Sequence, residues 1–218
     1  MKKEELVRYI DHSLLKPNLT NDEIIAGCEY AKELNCVSVC VNANRVKMAA
    51  EVLKGTDTAV GTVIGFPSGA HTTAIKVAET KEAYENGATE MDMVIDIGAL
   101  RSGDIDLVRE DIAAVVKASP AIVKVILETA YLTPEEVKTA SELCEQAGAH
   151  YVKTSTGFAH EGATIENIRI MREAVSDKMK IKAAGGIKDL AACLQLIEEG
   201  CTRLGTSRTK QILAELDA

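Results

Sequence analysis

Short apolar runs alternate along the whole chain with longer amphipathic segments. The runs 36–41 (CVSVCV), 122–126 (IVKVI) and 179–184 (MKIKAA) have the length and the β-branched content of strands. Between such runs, apolar residues recur three or four positions apart, as Ile165, Ile168 and Met171 do, which is typical of amphipathic helices. The pattern predicts eight strands, each followed by a helix, at a spacing of about 22 to 32 residues.

Capping residues mark several helix ends in this pattern. Thr20 with Glu23 three positions later forms a capping box, and Thr133 followed by Pro134 is typical of an N-cap and a first helical turn. A Gly or Asn, such as Asn35, stands at the junctions where a helix should end and the next strand begin. A short helix is also predicted at 2–8, before the first strand.

Repeated strand–helix units form parallel sheets, and eight of them predict a closed barrel. We therefore predict an α/β fold, a single-domain (β/α)₈ TIM barrel over residues 1–218 with a short N-terminal helix. The chain is short for this fold, so its loops must be tight. A doubly wound open sheet is the alternative, although no GxGxxG motif follows the first predicted strand, which weakens its dinucleotide-binding version.

Composition narrows the function classes. The chain is 46% hydrophobic and 27% charged, with a formal net charge of −8, which argues against a nucleic-acid binder or a protein of anionic membrane surfaces. The six cysteines form no CxxC pair and are predicted to be small buried hydrophobic residues in a reducing compartment. No 18-residue apolar run and no N-terminal apolar signal occur, so we expect a cytoplasmic protein.

Four neighbouring predicted strands each carry a charged residue among Val, Ile, Met and Ala. These residues are Asp92, Lys124, Lys153 and Lys182. Because active sites of this barrel lie at the carboxyl ends of the strands, the four predict a site in the barrel mouth. The alternatives are an interior salt-bridge layer that only fills space, or lysines that reach solvent at strand ends.

Lysines on adjacent strands suggest a particular chemistry. Two ammonium groups held close together should each lower the other's pKa, and a neutral amine can attack a carbonyl to form a Schiff base. The step needs a proton shuttle, and Asp92 with Lys182 or Lys124 fits that role. The residues alone do not decide which lysine is the nucleophile. A cysteine nucleophile is a weaker alternative, because none has a partner in the sequence.

Glycine-rich loops predict a phosphate site. Gly185 and Gly186 end the seventh predicted strand, and Gly205 ends the eighth just before Ser207 opens a helix. Loops after strands seven and eight of this fold often bind phosphate through backbone N–H groups and a helix N-terminus. The alternative is ordinary glycine turns.

Five stretches, which follow one another along the chain, resemble the deoxyribose-phosphate aldolase family. They are 10–17 (IDHSLLKP), 60–67 (VGTVIGFP), 90–95 (EMDMVI), 152–158 (VKTSTGF) and 181–187 (IKAAGGI). The resemblance implies a class I aldolase, without a cofactor or a metal, that interconverts 2-deoxy-D-ribose 5-phosphate with D-glyceraldehyde 3-phosphate and acetaldehyde. It implies Lys153 as the Schiff-base lysine, Lys182 as the perturbing lysine and Asp92 as the proton relay.

The resemblance also implies the substrate contacts. Gly186 and Ser207 should lie near the phosphate, and Asp11 and Cys40 should line the pocket. We further expect substrate contacts from Lys124, Thr154, Thr156, Gly185 and Gly205. Two places depart from the family pattern: Arg208 beside the phosphate loop, where a small residue is expected, and the charged loop 159–162 (AHEG). Both bear on affinity or substrate preference rather than on the lysine chemistry.

Three other functions fit parts of the pattern. They are a transaldolase-like Schiff-base barrel that uses a ketose, a metal-dependent aldolase or isomerase, and a catalytically inactive phosphosugar-binding barrel. The four histidines are scattered and form no ligand cluster, which disfavours the metal enzyme. The expected partners are a phosphosugar and acetaldehyde, with no nucleic acid and no membrane, and a homodimer is possible.

Overall fold

Eight parallel strands close into a barrel in chain order, so each strand pairs with the next and the last pairs with the first. The structure is a computed structural model that describes residues 1–216. The TIM-barrel prediction is confirmed, and the open-sheet alternative is wrong. The strands are β1 Ile10–Leu14, β2 Ser38–Val41, β3 Ala59–Ile64, β4 Glu90–Val94, β5 Ile122–Ile126, β6 Tyr151–Lys153, β7 Lys180–Ala184 and β8 Cys201–Thr206. The predicted domain extends to residue 218, but residues 217–218 lie outside the described part.

Helices surround the barrel. In chain order they are α1 Lys3–Leu6, α2 Asn21–Glu33, α3 Val46–Val52, α4 Thr73–Glu85, α5 Ile97–Ser102, α6 Ile105–Ala118, α7 Pro134–Gln146, α8 Ile165–Ala174, α9 Leu190–Glu198 and α10 Thr209–Ala214. Short 3₁₀ turns precede β1 and α3 and follow β5. No helix in the described residues is both long and apolar enough to cross a membrane.

The predicted helix caps form as their side chains require. Thr20 accepts a hydrogen bond from the Glu23 backbone N–H, and Thr133 accepts one from Glu136, each within a full capping box. The helix α5 was not predicted. It has only six residues, and it begins because the Asp96 carboxylate accepts the backbone N–H of Ala99.

Register across the barrel sets the charged residues side by side in two groups, which lie two residues apart along the barrel wall. Asp92 on β4 lies beside Lys124 on β5, and Lys153 on β6 lies beside Lys182 on β7. Lys182 in turn lies beside Arg203 on β8. All five residues are at most 8% exposed, so the charges lie inside the barrel. The neighbouring outward positions, such as Val123 and Val125, pack instead against the helices.

A second buried ion pair lies between two outer helices. Lys76 on α4 is fully buried, and its Nζ donates to Asp111 on α6 at 2.6 Å and to the Val94 carbonyl at 2.9 Å. The pair therefore fastens α4 and α6 to the carboxyl end of β4, the strand that carries Asp92.

Lys76→Met is expected to lower the free energy of unfolding by about 3–5 kcal/mol, because it leaves the Asp111 carboxylate buried without its cation. Urea denaturation measures this as a lower midpoint with an unchanged slope. Lys81→Met, on an exposed position of the same helix, is the control and should leave the midpoint nearly unchanged. A midpoint equal to the wild type's in the Lys76 variant would show that the pair does not hold these helices.

Candidate active site

A cavity of about 480 Å³ opens at the carboxyl ends of the strands. Nine of the twelve predicted site residues line it: Asp11, Cys40, Lys153, Thr156, Lys182, Gly185, Gly186, Gly205 and Ser207. The other three, Asp92, Lys124 and Thr154, are buried and do not border this cavity. The structure thus brings the predicted residues together. Two of the charged ones, Asp92 and Lys124, lie in the barrel interior beneath the cavity.

Lys153 is the last residue of β6, and its almost fully buried side chain lines the cavity. Its side chain is 3% exposed, and its Nζ donates to Asp92 Oδ2 at 2.7 Å. Burial lowers the pKa of this amine, Asp92 raises it, and the Lys182 ammonium lowers it again, so that the pKa lies below the usual lysine value of 10.5. A lowered pKa increases the fraction of neutral, nucleophilic amine.

Asp92 is the carboxylate that three lysines share. Its Oδ2 accepts hydrogen bonds from the Nζ of Lys153 at 2.7 Å and of Lys182 at 2.6 Å. Its Oδ1 accepts one from Lys124 Nζ at 2.9 Å. Burial raises the pKa of this carboxyl, but the three ammonium groups outweigh burial and hold it well below 3.8. Asp92 is therefore ionised at neutral pH and connects the two cavity lysines through one oxygen.

Lys182 has two acidic partners where Lys153 has one. Its Nζ donates to Asp11 Oδ2 as well as to Asp92 Oδ2. Burial lowers the pKa of Lys182, yet Asp11 and Asp92 together raise it above its usual value. The prediction that each lysine lowers the other's pKa agrees with the lowered pKa of Lys153 but not with the raised pKa of Lys182, whose two carboxylates outweigh burial and the Lys124 ammonium.

A lower layer of charges supports this arrangement, and two of its members were missed by the sequence analysis. Glu90 on β4 accepts Lys124 at 2.6 Å, and Arg203 on β8 forms salt bridges with Glu90 at 2.8 Å and with Asp11 at 2.5 Å. Burial lowers the pKa of Lys124, but Asp92, Glu90 and Asp11 raise it well above 10.5. Lys124 is therefore a fixed cation beneath the cavity, not a group at its surface.

The salt-bridged network of the barrel interior has one more cation than it has carboxylates. Asp11, Glu90 and Asp92 supply three negative charges, while Lys124, Lys153, Lys182 and Arg203 supply four positive ones when all are protonated. A buried net charge is costly, and losing one proton from a lysine removes it. Lys153 has the fewest carboxylate partners, so it is the lysine whose proton leaves most readily.

Cys40 and the two threonines have different surroundings. Cys40 borders the cavity, and burial raises the pKa of its thiol to about 11, so it stays protonated at neutral pH. The Thr154 hydroxyl hydrogen-bonds both the carbonyl and the N–H of Ala184 at 3.0 Å and so links β6 to β7. Thr156 lines the cavity and bonds Glu128, a buried carboxylate that was not among the predicted residues.

The glycine loops lie together at one end of the cavity. Gly185 and Gly186 have φ values of 83° and 76°, in the region that favours glycine. The predicted charged loop packs directly against them: a side chain on Gly162 would meet the Gly185 carbonyl oxygen at 2.2 Å, and Ala163 N donates to that oxygen at 3.0 Å. Ser207 and Arg208, after β8, also border the cavity, as do Lys16 and Lys188. Exposed cations and glycine-rich loops, whose backbone N–H groups can approach a ligand closely, are suited to bind an anionic group.

Within residues 1–216, no three His, Cys, Asp or Glu side chains group as a metal site would require. The six cysteines are buried free thiols.

A barrel whose buried lysines face a cavity at the carboxyl ends of its strands is the framework of an enzyme. Residues 6–201 match the family model described as DeoC/LacD family aldolase. The chain therefore belongs to the DeoC/LacD aldolase family, and it is a lyase, as the sequence predicted.

Individual relatives agree with this assignment. The chain is 51% identical over 215 residues to a deoxyribose-phosphate aldolase of Staphylococcus carnosus, covering 98% of both chains. The solved structure "QR15, an Aldolase" is 41% identical with a TM-score of 0.93, covering 97% of this chain and 96% of that one. A deoxyribose phosphate aldolase from Aeropyrum pernix, described as having a unique tetrameric structure, is 26% identical with a TM-score of 0.92, over 100% of this chain and 93% of that one.

Proposed function

We propose that this chain is a class I aldolase that interconverts 2-deoxy-D-ribose 5-phosphate with D-glyceraldehyde 3-phosphate and acetaldehyde, with Lys153 as the Schiff-base lysine. The observation that carries the proposal is the difference among the three interior lysines. Only Lys153 combines a place on the cavity wall with a lowered pKa, whereas the pKa values of Lys124 and Lys182 are raised. The relatives' names supply the substrate class.

The chemistry begins at the aldehyde carbon of the open-chain sugar. The neutral Lys153 amine adds to C1, and loss of water gives an iminium. Removal of the C3 hydroxyl proton then breaks the C2–C3 bond, and the bonding electrons move to the iminium nitrogen to leave an enamine. The three-carbon aldehyde phosphate departs. Protonation of the enamine at C2 and hydrolysis release acetaldehyde and restore the lysine.

Asp92 and Lys182 are proposed to move the protons. Asp92 Oδ2 bonds the amines of both Lys153 and Lys182, so a proton can pass between the nucleophile and Lys182 through one carboxylate. Asp11 keeps Lys182 charged. The substrate phosphate is proposed to lie at the other end of the cavity, near Gly185, Gly186, Gly205 and Ser207.

Borohydride trapping tests the nucleophile. The protein is incubated with acetaldehyde, reduced, digested and mapped by mass. We expect an ethyl increment on Lys153 and none on Lys182, Lys124 or the exposed Lys180, which serves as an internal control for non-specific alkylation. An increment on Lys182 would reverse the two roles. Absence of any adduct would refute the mechanism and favour a phosphosugar-binding barrel.

A donor panel separates the closest rival. Turnover with acetaldehyde as donor supports the proposal, and transfer of a dihydroxyacetone unit would support a transaldolase-like enzyme instead. A homodimer, a cytoplasmic location and the absence of nucleic-acid or membrane contacts stay predictions for this chain.

A further inference from the structure

Glu128 has an unusual place beside the cavity. It follows β5 with a φ of 56°, a left-handed conformation that is uncommon for a residue other than glycine, and it is 2% exposed. Strained backbone of this kind persists where the surroundings hold it, and it concentrates at functional sites. Nothing in the lysine chemistry uses this carboxylate.

The Glu128 carboxylate is directed at Thr156. The Thr156 backbone N–H lies 3.3 Å from Oε2 and 3.4 Å from Oε1, and the Thr156 hydroxyl donates to Oε2. The same hydroxyl oxygen accepts the backbone N–H of Phe158 at 3.0 Å. Thr156 borders the cavity, so the contact joins a buried anion to a group on the cavity wall.

These contacts fix the direction of the Thr156 hydroxyl. A hydroxyl has one proton to donate and two lone pairs to accept with. The Thr156 hydroxyl donates its proton in a hydrogen bond to the carboxylate and accepts the Phe158 N–H with one lone pair. One lone pair of the hydroxyl oxygen therefore remains free. Towards the cavity the hydroxyl therefore acts only as an acceptor, and it is suited to a ligand group that donates.

Thr156 stands three residues beyond Lys153 and borders the same cavity as Gly185 and Gly186. This inference rests on the proposed function, in which the substrate extends from the lysine to the glycine loops. The middle of that substrate carries hydroxyl groups. We infer that Glu128 is a positioning residue that holds the Thr156 hydroxyl as an acceptor for a substrate hydroxyl, and thereby makes the enzyme prefer acceptor aldehydes with a hydroxyl beside the carbonyl.

The test measures a preference rather than a rate. In the synthesis direction, with acetaldehyde as donor, kcat/KM is determined for D-glyceraldehyde 3-phosphate and for 3-oxopropyl phosphate, which lacks the hydroxyl. We expect the wild type to favour the hydroxylated aldehyde. Glu128→Met should reduce the ratio of the two values about tenfold, because methionine removes the acceptor that holds the Thr156 hydroxyl proton, and the hydroxyl can then turn that proton towards the cavity.

Variants of the threonine provide the partner measurement. Thr156→Val should reduce the ratio at least as far as Glu128→Met, and Thr156→Ser should keep it near the wild-type value. The double variant Glu128→Met/Thr156→Val should resemble Thr156→Val alone. Glu23→Met is the matched control, because the Glu23 carboxylate also accepts both the backbone N–H and the hydroxyl of a threonine, Thr20, at the exposed start of α2. It should leave the ratio unchanged.

Two failures can be told apart. If the wild type turns over acetaldehyde but Glu128→Met leaves the ratio of the two kcat/KM values unchanged, Glu128 has at most a structural role and the inference is overturned. The same follows if the wild type shows no preference between the two aldehydes. If the wild type uses neither aldehyde, the proposed function itself fails, and the inference fails with it.

Discussion

Lys153→Met is expected to lower kcat for cleavage of 2-deoxy-D-ribose 5-phosphate by about 10⁴-fold or more, as removal of a covalent nucleophile does in other enzymes. Methionine keeps most of the buried length of the side chain and removes the amine. The variant also relieves the excess positive charge of the salt-bridged network, so we expect it to fold. Steady-state kinetics and borohydride trapping with acetaldehyde measure the two consequences, and trapping should be lost.

Two lysine variants on β7 complete this experiment. Lys180→Met changes an exposed lysine at the opposite end of the strand from the cavity and should leave kcat unchanged. Lys182→Met removes the ammonium that lowers the pKa of Lys153, so the pH at which trapping becomes efficient should rise. Trapping of acetaldehyde on another lysine in Lys153→Met, with most of the activity retained, would contradict the assignment.

The fold could be predicted because its signal is local. Each strand–helix unit carries its own periodicity and its own caps, such as Thr20 and Thr133, and eight units leave few arrangements open. The helix α5 was not predicted, because its six residues are too few to show a helical period of apolar positions.

The site was predictable wherever a charge interrupts an apolar strand, as Asp92, Lys153 and Lys182 do. Glu90 and Arg203 carry the same signal and were missed, although Glu90 stands two positions from Asp92 and so shares its face of β4. Strand alternation applied to every charged strand residue would have found both. Glu128 could not have been found in this way, because its importance rests on a left-handed backbone and a loop contact 28 residues away.

The pKa values of the lysines could not be predicted from adjacency alone. Lys182 owes its raised pKa to Asp11, which lies 171 residues away in sequence and meets it only when the barrel closes. The lysine with fewer carboxylates around it becomes the weaker base, and counting those partners requires the closed barrel.

Asp92→Asn is expected to separate bond formation at Lys153 from the proton transfers that follow. Asparagine keeps the shape of the side chain but cannot carry a proton between Lys153 and Lys182, so kcat should fall by about 10²- to 10⁴-fold. Since Asp92 raises the pKa of Lys153, its loss should lower that pKa further. The acid limb of the pH profile of kcat/KM should therefore move to lower pH, and acetaldehyde should still be trapped on Lys153.

The same substitution should destabilise the protein by about 3–5 kcal/mol at neutral pH, because it leaves three buried lysines with one carboxylate fewer. The folded-state pKa of Asp92 lies well below its usual value of 3.8, so its contribution is present above that pH and is lost as the pH falls further. The stability difference between variant and wild type should thus shrink below pH 3.8. Asp57→Asn, at an exposed position before β3, is the control for both measurements. An Asp92→Asn enzyme with wild-type kcat and an unmoved acid limb would show that protons reach Lys153 by another route.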